Sequence, residues 1–174
     1  MDNRDRGFSL IELLIVVAII LIIAAISIPN LLRSRMAANE ASAVGSIRTI
    51  NVAALLYQST YGAYPSTLAQ IGTTGPAANC NNAELIDSVL TTGIKSGYNI
   101  AIVAGTTPVS SSAVSAGCTA GYSDGYVVTA TPTGVGTTGQ RAFCSDASGV
   151  IRANPTGTAS YTTPLCNQNQ SPLQ

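Results

Sequence analysis

The sequence predicts an α+β fold: a long N-terminal α-helix, transmembrane in its first half and amphipathic in its second, packed on an antiparallel sheet of three to four strands. Three observations lead there. Residues 8–28 form an apolar run broken only by Ser9, Glu12 and Ser27. From Met36 onward Ala43, Ile47, Ile50, Ala54, Tyr57 and Tyr61 recur at helical spacing. Beyond Pro65 the pattern changes to β-branched and aromatic runs bounded by glycines.

At about 1.5 Å per residue, a helix over residues 8–28 is about 30 Å long, the thickness of a bilayer core. One membrane span follows. Glu12 is the anomaly within it, because a carboxylate in a transmembrane helix costs roughly 2.5 to 3.5 kcal/mol on insertion scales and normally has a partner or a function. Three accounts of the stretch are open. In the first, Ser9-Leu10-Ile11-Glu12 is a capping box, and Glu12 answers orphan N–H groups at the favourable end of the helix dipole, near the headgroups. In the second, the run is an ordinary secretory signal removed near Ala25-Ile26-Ser27, although Pro29 lies close and the helical pattern continues past it. In the third, cleavage falls after Gly7, so the span is kept and Phe8 becomes an N-terminus whose amine can pair with Glu12 of a neighbouring subunit.

A short charged leader ending in Gly7, then Phe8-Ser9-Leu10-Ile11-Glu12-Leu13-Leu14, the apolar run and Ile28-Pro29-Asn30 closely resemble the class III signal of type IV pilins and of type II secretion pseudopilins. Residues 1 to about 65 fit that family, and the rest fits its general plan. The resemblance implies a prepilin peptidase that cuts between Gly7 and Phe8 and N-methylates Phe8, with Phe8 and Glu12 docking the subunit into a helical filament. It further implies an inner-membrane precursor handled by an assembly platform and a final place in a cell-surface pilus, or in a periplasmic pseudopilus for the secretion relatives. The division that follows is leader 1–7, transmembrane or filament-core helix 8–28, amphipathic half 29–62 and globular head 63–174, a lollipop of the pilin type.

Bulk composition limits the alternatives. At 174 residues the chain allows one soluble domain of about 110 residues beside the N-terminal rod. Lys plus Arg and Asp plus Glu are eight each, and only 9% of residues are charged, so no electrostatic footprint for nucleic acid is present. The absence of His removes a Ser-His-Asp triad, a Cys-His pair and every His-ligated metal site, so no enzyme is expected. Arg4 and Arg6 before the span balance Arg33 and Arg35 after it and leave orientation undecided. The cysteines decide it: Cys80, Cys118, Cys144 and Cys166 all follow the span without a CxxC pair, which points to disulfides outside the cytoplasm. Of the three connectivities, adjacency favours Cys80–Cys118 and Cys144–Cys166. The second resembles the C-terminal disulfide-bounded loop of many type IV pilins.

Past the membrane, Pro29 removes a helical hydrogen bond and is expected to kink or loosen residues 27–30. The amphipathic half carries its seam toward the sheet, with Arg33, Arg35, Asn39, Arg48 and Thr49 opposite. Gly62 and Pro65 end the helix. The Tyr64-Pro65 pair just after it also looks like the major pseudopilins. Asn81-Asn82-Ala83-Glu84 reads as a cap opening a short helix through Leu90 that Gly93 closes. Residues 98–104 and 126–131 read as strands, and 141–145 with 150–152 as a hairpin around Asp146-Ala147-Ser148-Gly149. Residues 105–122 form a Ser/Thr/Ala/Gly-rich loop, and the tail 154–174 is expected to be irregular, clipped by Cys166.

Little of this carries chemistry. Asp124 and Asp146 flank glycine turns and read as turn formers. The pseudopilin alternative implies Ca²⁺ in a late loop, but these two acids lack the several-oxygen cluster such a site needs, and no cofactor is expected under the pilin reading. Tyr57, Tyr98 and Tyr126 fall on core-facing periods. Asn169-Gln170-Ser171 matches a glycosylation sequon by pattern alone.

Overall fold

The computed structural model describes residues 8–73, 75, 78–109 and 124–173. The chain divides into two compact units, residues 1–35 and 36–174. Helix α1 runs Leu10–Tyr61, 52 residues, and contributes to both. It is followed by two single-turn helices, α2 (Leu68–Ile71) and α3 (Ser88–Thr91), and by eight strands: β1 Ile94–Lys95, β2 Tyr98–Ala104, β3 Tyr126–Pro132, β4 Ala142–Asp146, β5 Ile151–Asn154, β6 Tyr161–Thr162, β7 Leu165–Cys166 and β8 Ser171–Pro172.

The described part of the first unit is helix from Leu10 on. From Phe8 to Ile28 no side chain is buried, and Leu, Ile and Val side chains there are 46 to 80% exposed. A helix can carry such a surface because its backbone groups are paired internally, but the side chains need a solvent other than water. Pro29 lies inside α1, which remains helical on both sides of it, so the lost hydrogen bond does not end the helix.

In the second unit the expected seam is the buried one. Ala43, Ile47, Ile50, Ala54 and Tyr57 are at most 3% exposed, Ala53 joins them, and Tyr61 is half-buried. They pack in one cluster with Tyr98, Ile100, Tyr126, Val128, Ala130, Phe143, Ile151 and Ala153, the alternate residues of β2 to β5. Gly62 ends α1 in the left-handed region (φ 80°), where a side chain would be strained, and its N–H reaches Gln58 O at 2.9 Å.

The sheet is larger than the expected three to four strands. Six antiparallel strands pair in the order β1-β2-β3-β4-β5-β8, and β6 and β7 form a separate hairpin. The four central strands are those the sequence predicted; β1 and β8 are two-residue additions at the edges. The tail is correspondingly not irregular: β8 pairs with β5, and Leu173 N–H donates to Ile151 O at 2.8 Å. The short helix also differs. It starts at Ser88, capped by Asp87 Oδ1 accepting from Leu90 N–H at 2.8 Å, while Glu84 stands at φ 55° and cannot open a helix. The loop over 105–122 lies mostly outside the described residues.

Three sets of polar ties fix the helix to the rest of its unit, the first of them to the sheet itself. Asn51 Nδ2 donates to Ser145 Oγ at 2.8 Å and Asn51 Oδ1 accepts from Tyr126 OH at 3.2 Å, all buried. Tyr57 OH donates to Cys80 O at 2.6 Å. Glu40 Oε1 accepts from Gln140 and Arg141 N–H at 2.9 and 3.0 Å, and its Oε2 from Arg141 Nε and Nη2, both at 2.8 Å. Burial opposes ionisation of Glu40, yet the two backbone N–H groups and the guanidinium outweigh it and lower its pKa.

Two expected outcomes follow from these ties. Asn51→Ala leaves Ser145 and the Tyr126 hydroxyl unpaired in the core and costs about 2 to 4 kcal/mol, read by urea titration of the detergent-solubilised chain. Because the folded pKa of Glu40 is depressed, its contribution is present above the ordinary glutamate value and is lost as pH falls through the folded value. The stability gap between wild type and Glu40→Gln is therefore constant near neutrality and closes in acid; a gap that widens in acid would contradict the assignment.

Candidate functional site

The candidate site is the start of α1. Ser9 precedes its first residue, and the opening helical bond runs from Leu13 N–H to Ser9 O at 3.3 Å. Glu12 lies in the first turn, and its Oε2 accepts the Ser9 backbone N–H at 2.9 Å. This is the returning arm of a capping box: the carboxylate satisfies a donor that the helix itself leaves orphaned and stands at the positive end of the helix dipole. Glu12's other oxygen accepts no hydrogen bond among the described residues. Phe8, one turn earlier, is 84% exposed. Gly7 lies outside the described residues.

The first and third accounts of Glu12 therefore differ in what they need. Capping is realised within one chain, by one oxygen. Glu12 is exposed and lies four residues after Phe8, the spacing at which side chains on one helix face are neighbours. If the chain is cut before Phe8, the new amine supplies a cation at the same end of the helix.

The other sequence-predicted positions are structural. Cys144 and Cys166 are joined, with Cα atoms 6.0 Å apart, and sit with Val127 in a small cluster on the sheet face away from α1. Cys80 is disulfide-bonded, and Cys118 lies outside the described residues. Asp146 is more than a turn former. It is 1% exposed, its Oδ1 accepts Ser148 N–H and Oγ, and its Oδ2 accepts Cys166 N–H at 3.0 Å, so it ties the hairpin turn to the disulfide. Asp124 accepts the Thr106 hydroxyl and N–H, and the hydroxyl above all brings its carboxyl down to about 2. Among the described residues no three His, Cys, Asp or Glu side chains converge as metal ligands.

Glu40 with Arg141, and Asn51 with Ser145 and Tyr126, escaped sequence reasoning. Each joins α1 to a strand about a hundred residues away, and no local pattern marks such pairs. Ser9 with Glu12 was legible, because a capping box is a three-residue spacing.

The profile of the prokaryotic N-terminal methylation motif matches residues 2–28, which include Phe8, Glu12 and the whole apolar run. The chain is 41% identical over 69 residues to the type IV wide pilus major component of Thermus thermophilus, covering 40% of this chain and 53% of that one. It is 38% identical over 71 residues to the type IV major pilin of Myxococcus xanthus, 41% of this chain and 32% of the relative. It is 31% identical over 72 residues to core protein G of the type II secretion system of Dickeya chrysanthemi, 41% and 47% respectively. The matched stretch thus spans between a third and about half of these curated relatives. No solved structure matches the chain. With a methylation motif laid over the capped, exposed helix start, the N-terminal two fifths of the chain are similar both to type IV pilins and to type II secretion pseudopilins.

Proposed function

We propose that this chain is a non-enzymatic structural subunit, made as a single-pass inner-membrane precursor, cut by a prepilin peptidase between Gly7 and Phe8, and assembled through residues 8–28 into a type IV pilus at the cell surface. The observation that carries this is the apolar run itself, exposed on every side of the helix. In the membrane lipid covers it; in a filament, identical runs of neighbouring subunits do. Exchanging lipid for Leu, Ile and Val side chains keeps apolar surface from water throughout, so the hydrophobic term barely opposes extraction.

Glu12 supplies register. Its free oxygen pairs with the Phe8 amine of an adjacent subunit, and a misplaced subunit leaves a carboxylate unpaired in an apolar bundle. Phe8 is the N-methylated residue. The partners are further copies of this chain, the peptidase that also methylates, and the inner-membrane assembly platform; no cofactor is needed.

A second reading, a periplasmic pseudopilus of type II secretion, is favoured by the likeness to core protein G and by Tyr64-Pro65 after the helix. A Ca²⁺ requirement for stability and the lack of long surface fibres distinguish it. Electron microscopy of sheared fibres from strains with and without the gene tests the first reading: gene-dependent surface fibres support it, and their absence with intact secretion-linked assembly supports the second.

Glu12→Ala is expected to leave membrane insertion intact and reduce filament yield by about tenfold or more, since losing one partner of a buried charge pair costs several kcal/mol. Wild-type yield would refute the register role. Gly7→Leu precursor is expected to remain uncut, seen as a retained leader on denaturing gels; a mature start at Phe8 in that variant would contradict it.

A further inference from the structure

The unit of residues 36–174 carries a second apolar face that its own core does not use. Val52, Leu55 and Leu56 are 59%, 50% and 51% exposed, and their spacing puts them on one side of α1. Val52 and Leu56 border a groove of about 360 Å³ together with Arg48, Thr49, Ala53 and Leu85. A helix that served only its own domain would carry polar residues here.

The charges of the unit sort in a way that bears on this groove. Glu40 is tied to Arg141, Asp87 to Lys95, Asp124 to Thr106, Asp146 to Ser148 and Cys166, and Arg152 to Gln168 and Gln170. Among the charged side chains described in the unit, only Arg48 and Glu84 make no hydrogen bond or ion pair. Both are exposed; Arg48 lines the groove, and Glu84 directly precedes Leu85 on its rim. One leftover cation and one leftover anion beside the same apolar surface do not meet within the chain.

We propose that this groove is an interface between copies of the chain, in which the 84–89 edge of one subunit, with Glu84 and the exposed Val89, covers Val52, Leu55 and Leu56 of the next and sets Glu84 against Arg48. The occupant is a second copy because each subunit carries, beside this apolar surface, a cation and an anion left unpaired within the chain, which a neighbouring copy can pair. In the filament the contact is head-to-tail: the 84–89 edge of one subunit lies on the 48–56 face of the next, so it repeats along the fibre rather than closing a dimer. The interface rests on the filament reading and extends it, giving the heads a contact that fixes register independently of Glu12.

Two arms test it in cells carrying the full chain. With the photoreactive residue p-benzoylphenylalanine in place of Val52, irradiation is expected to give a product of twice the subunit mass whose cross-link maps to residues 84–89 of the second copy. An adduct with lipid, with a different protein, or at another segment overturns the proposal, as does none at all. In the second arm, Arg48→Glu and Glu84→Arg each lower filament yield about tenfold, the factor that about 1.4 kcal/mol of like-charge juxtaposition gives, and the double variant recovers it. Single variants that assemble normally, or a double variant no better than either, overturn it. Fibres without the cross-link would sink the interface alone; the cross-link without fibres would sink the filament reading and leave the interface standing.

Discussion

The physics of this chain starts from a helix that has no polar side. Between Phe8 and Ile28 every direction around the axis presents Leu, Ile, Val or Ala, and none of these side chains is buried. Two environments accept such a surface: a lipid bilayer, and a bundle of equivalent helices. Both leave the backbone satisfied, because the helix pairs its own N–H and C=O groups. The difference between them lies in what happens at the end, where Ser9 and Glu12 sit. In either environment one carboxylate oxygen closes the helix start on Ser9 N–H. Under the proposed assembly the second oxygen takes a cation, the Phe8 amine of a neighbouring subunit, four residues from Glu12 in sequence. A bundle of identical helices is otherwise indifferent to sliding, since one Leu or Ile is much like the next; a lone charge pair is what makes one register differ from another.

The rest of α1 obeys the opposite rule. From Met36 a narrow seam of small and branched residues sinks into the sheet, and the core it enters is apolar except where specific polar ties cross it. Those ties restrict how the helix can lie. Asn51 accepts from Tyr126 and donates to Ser145, so a shift by one helical turn would bury unpaired groups on both elements. Glu40 grips the strand entry at Gln140 and Arg141 through backbone and guanidinium together. On the far sheet face, Asp146 reaches from the hairpin turn to Cys166 N–H, so the disulfide with Cys144 and the carboxylate hold the C-terminal segment at the same place. Among the described residues from 36 onward, most charged side chains are held by hydrogen bonds or ion pairs within the chain.

What the sequence made legible was whatever repeats. The apolar run, the seam from Ala43 to Tyr57 and the β-branched runs of β2 to β5 each extend over enough residues for a period to show, and the structure places them accordingly. The errors share a scale. Strands β1, β6, β7 and β8 are two residues each, too short for any alternation; they exist because a longer neighbour or a tight turn offers hydrogen bonds. The short helix starts six residues later than the sequence suggests because Asn81 and Glu84 imitate a cap, whereas Asp87 is the residue whose side chain reaches the third N–H. The overlooked α2 had a signal in plain view: Gln70 Oε1 accepts from Ser66 and Thr67 N–H, a spacing visible in the sequence. At the N-terminal site the residues and their cap were readable because they lie within five positions. The exposed face at Val52 to Leu56 was not, because a helix with two apolar sides looks in one dimension like a helix with a single broad one.

The central claim is that the apolar helix survives maturation as part of the working subunit. N-terminal sequencing of the mature protein, recovered from cells rather than translated in vitro, tests it directly. The account predicts a single start at a methylated Phe8, with residues 8–28 retained. A mature chain beginning at Ile28 or later would make the run a discarded signal and remove the element on which assembly depends.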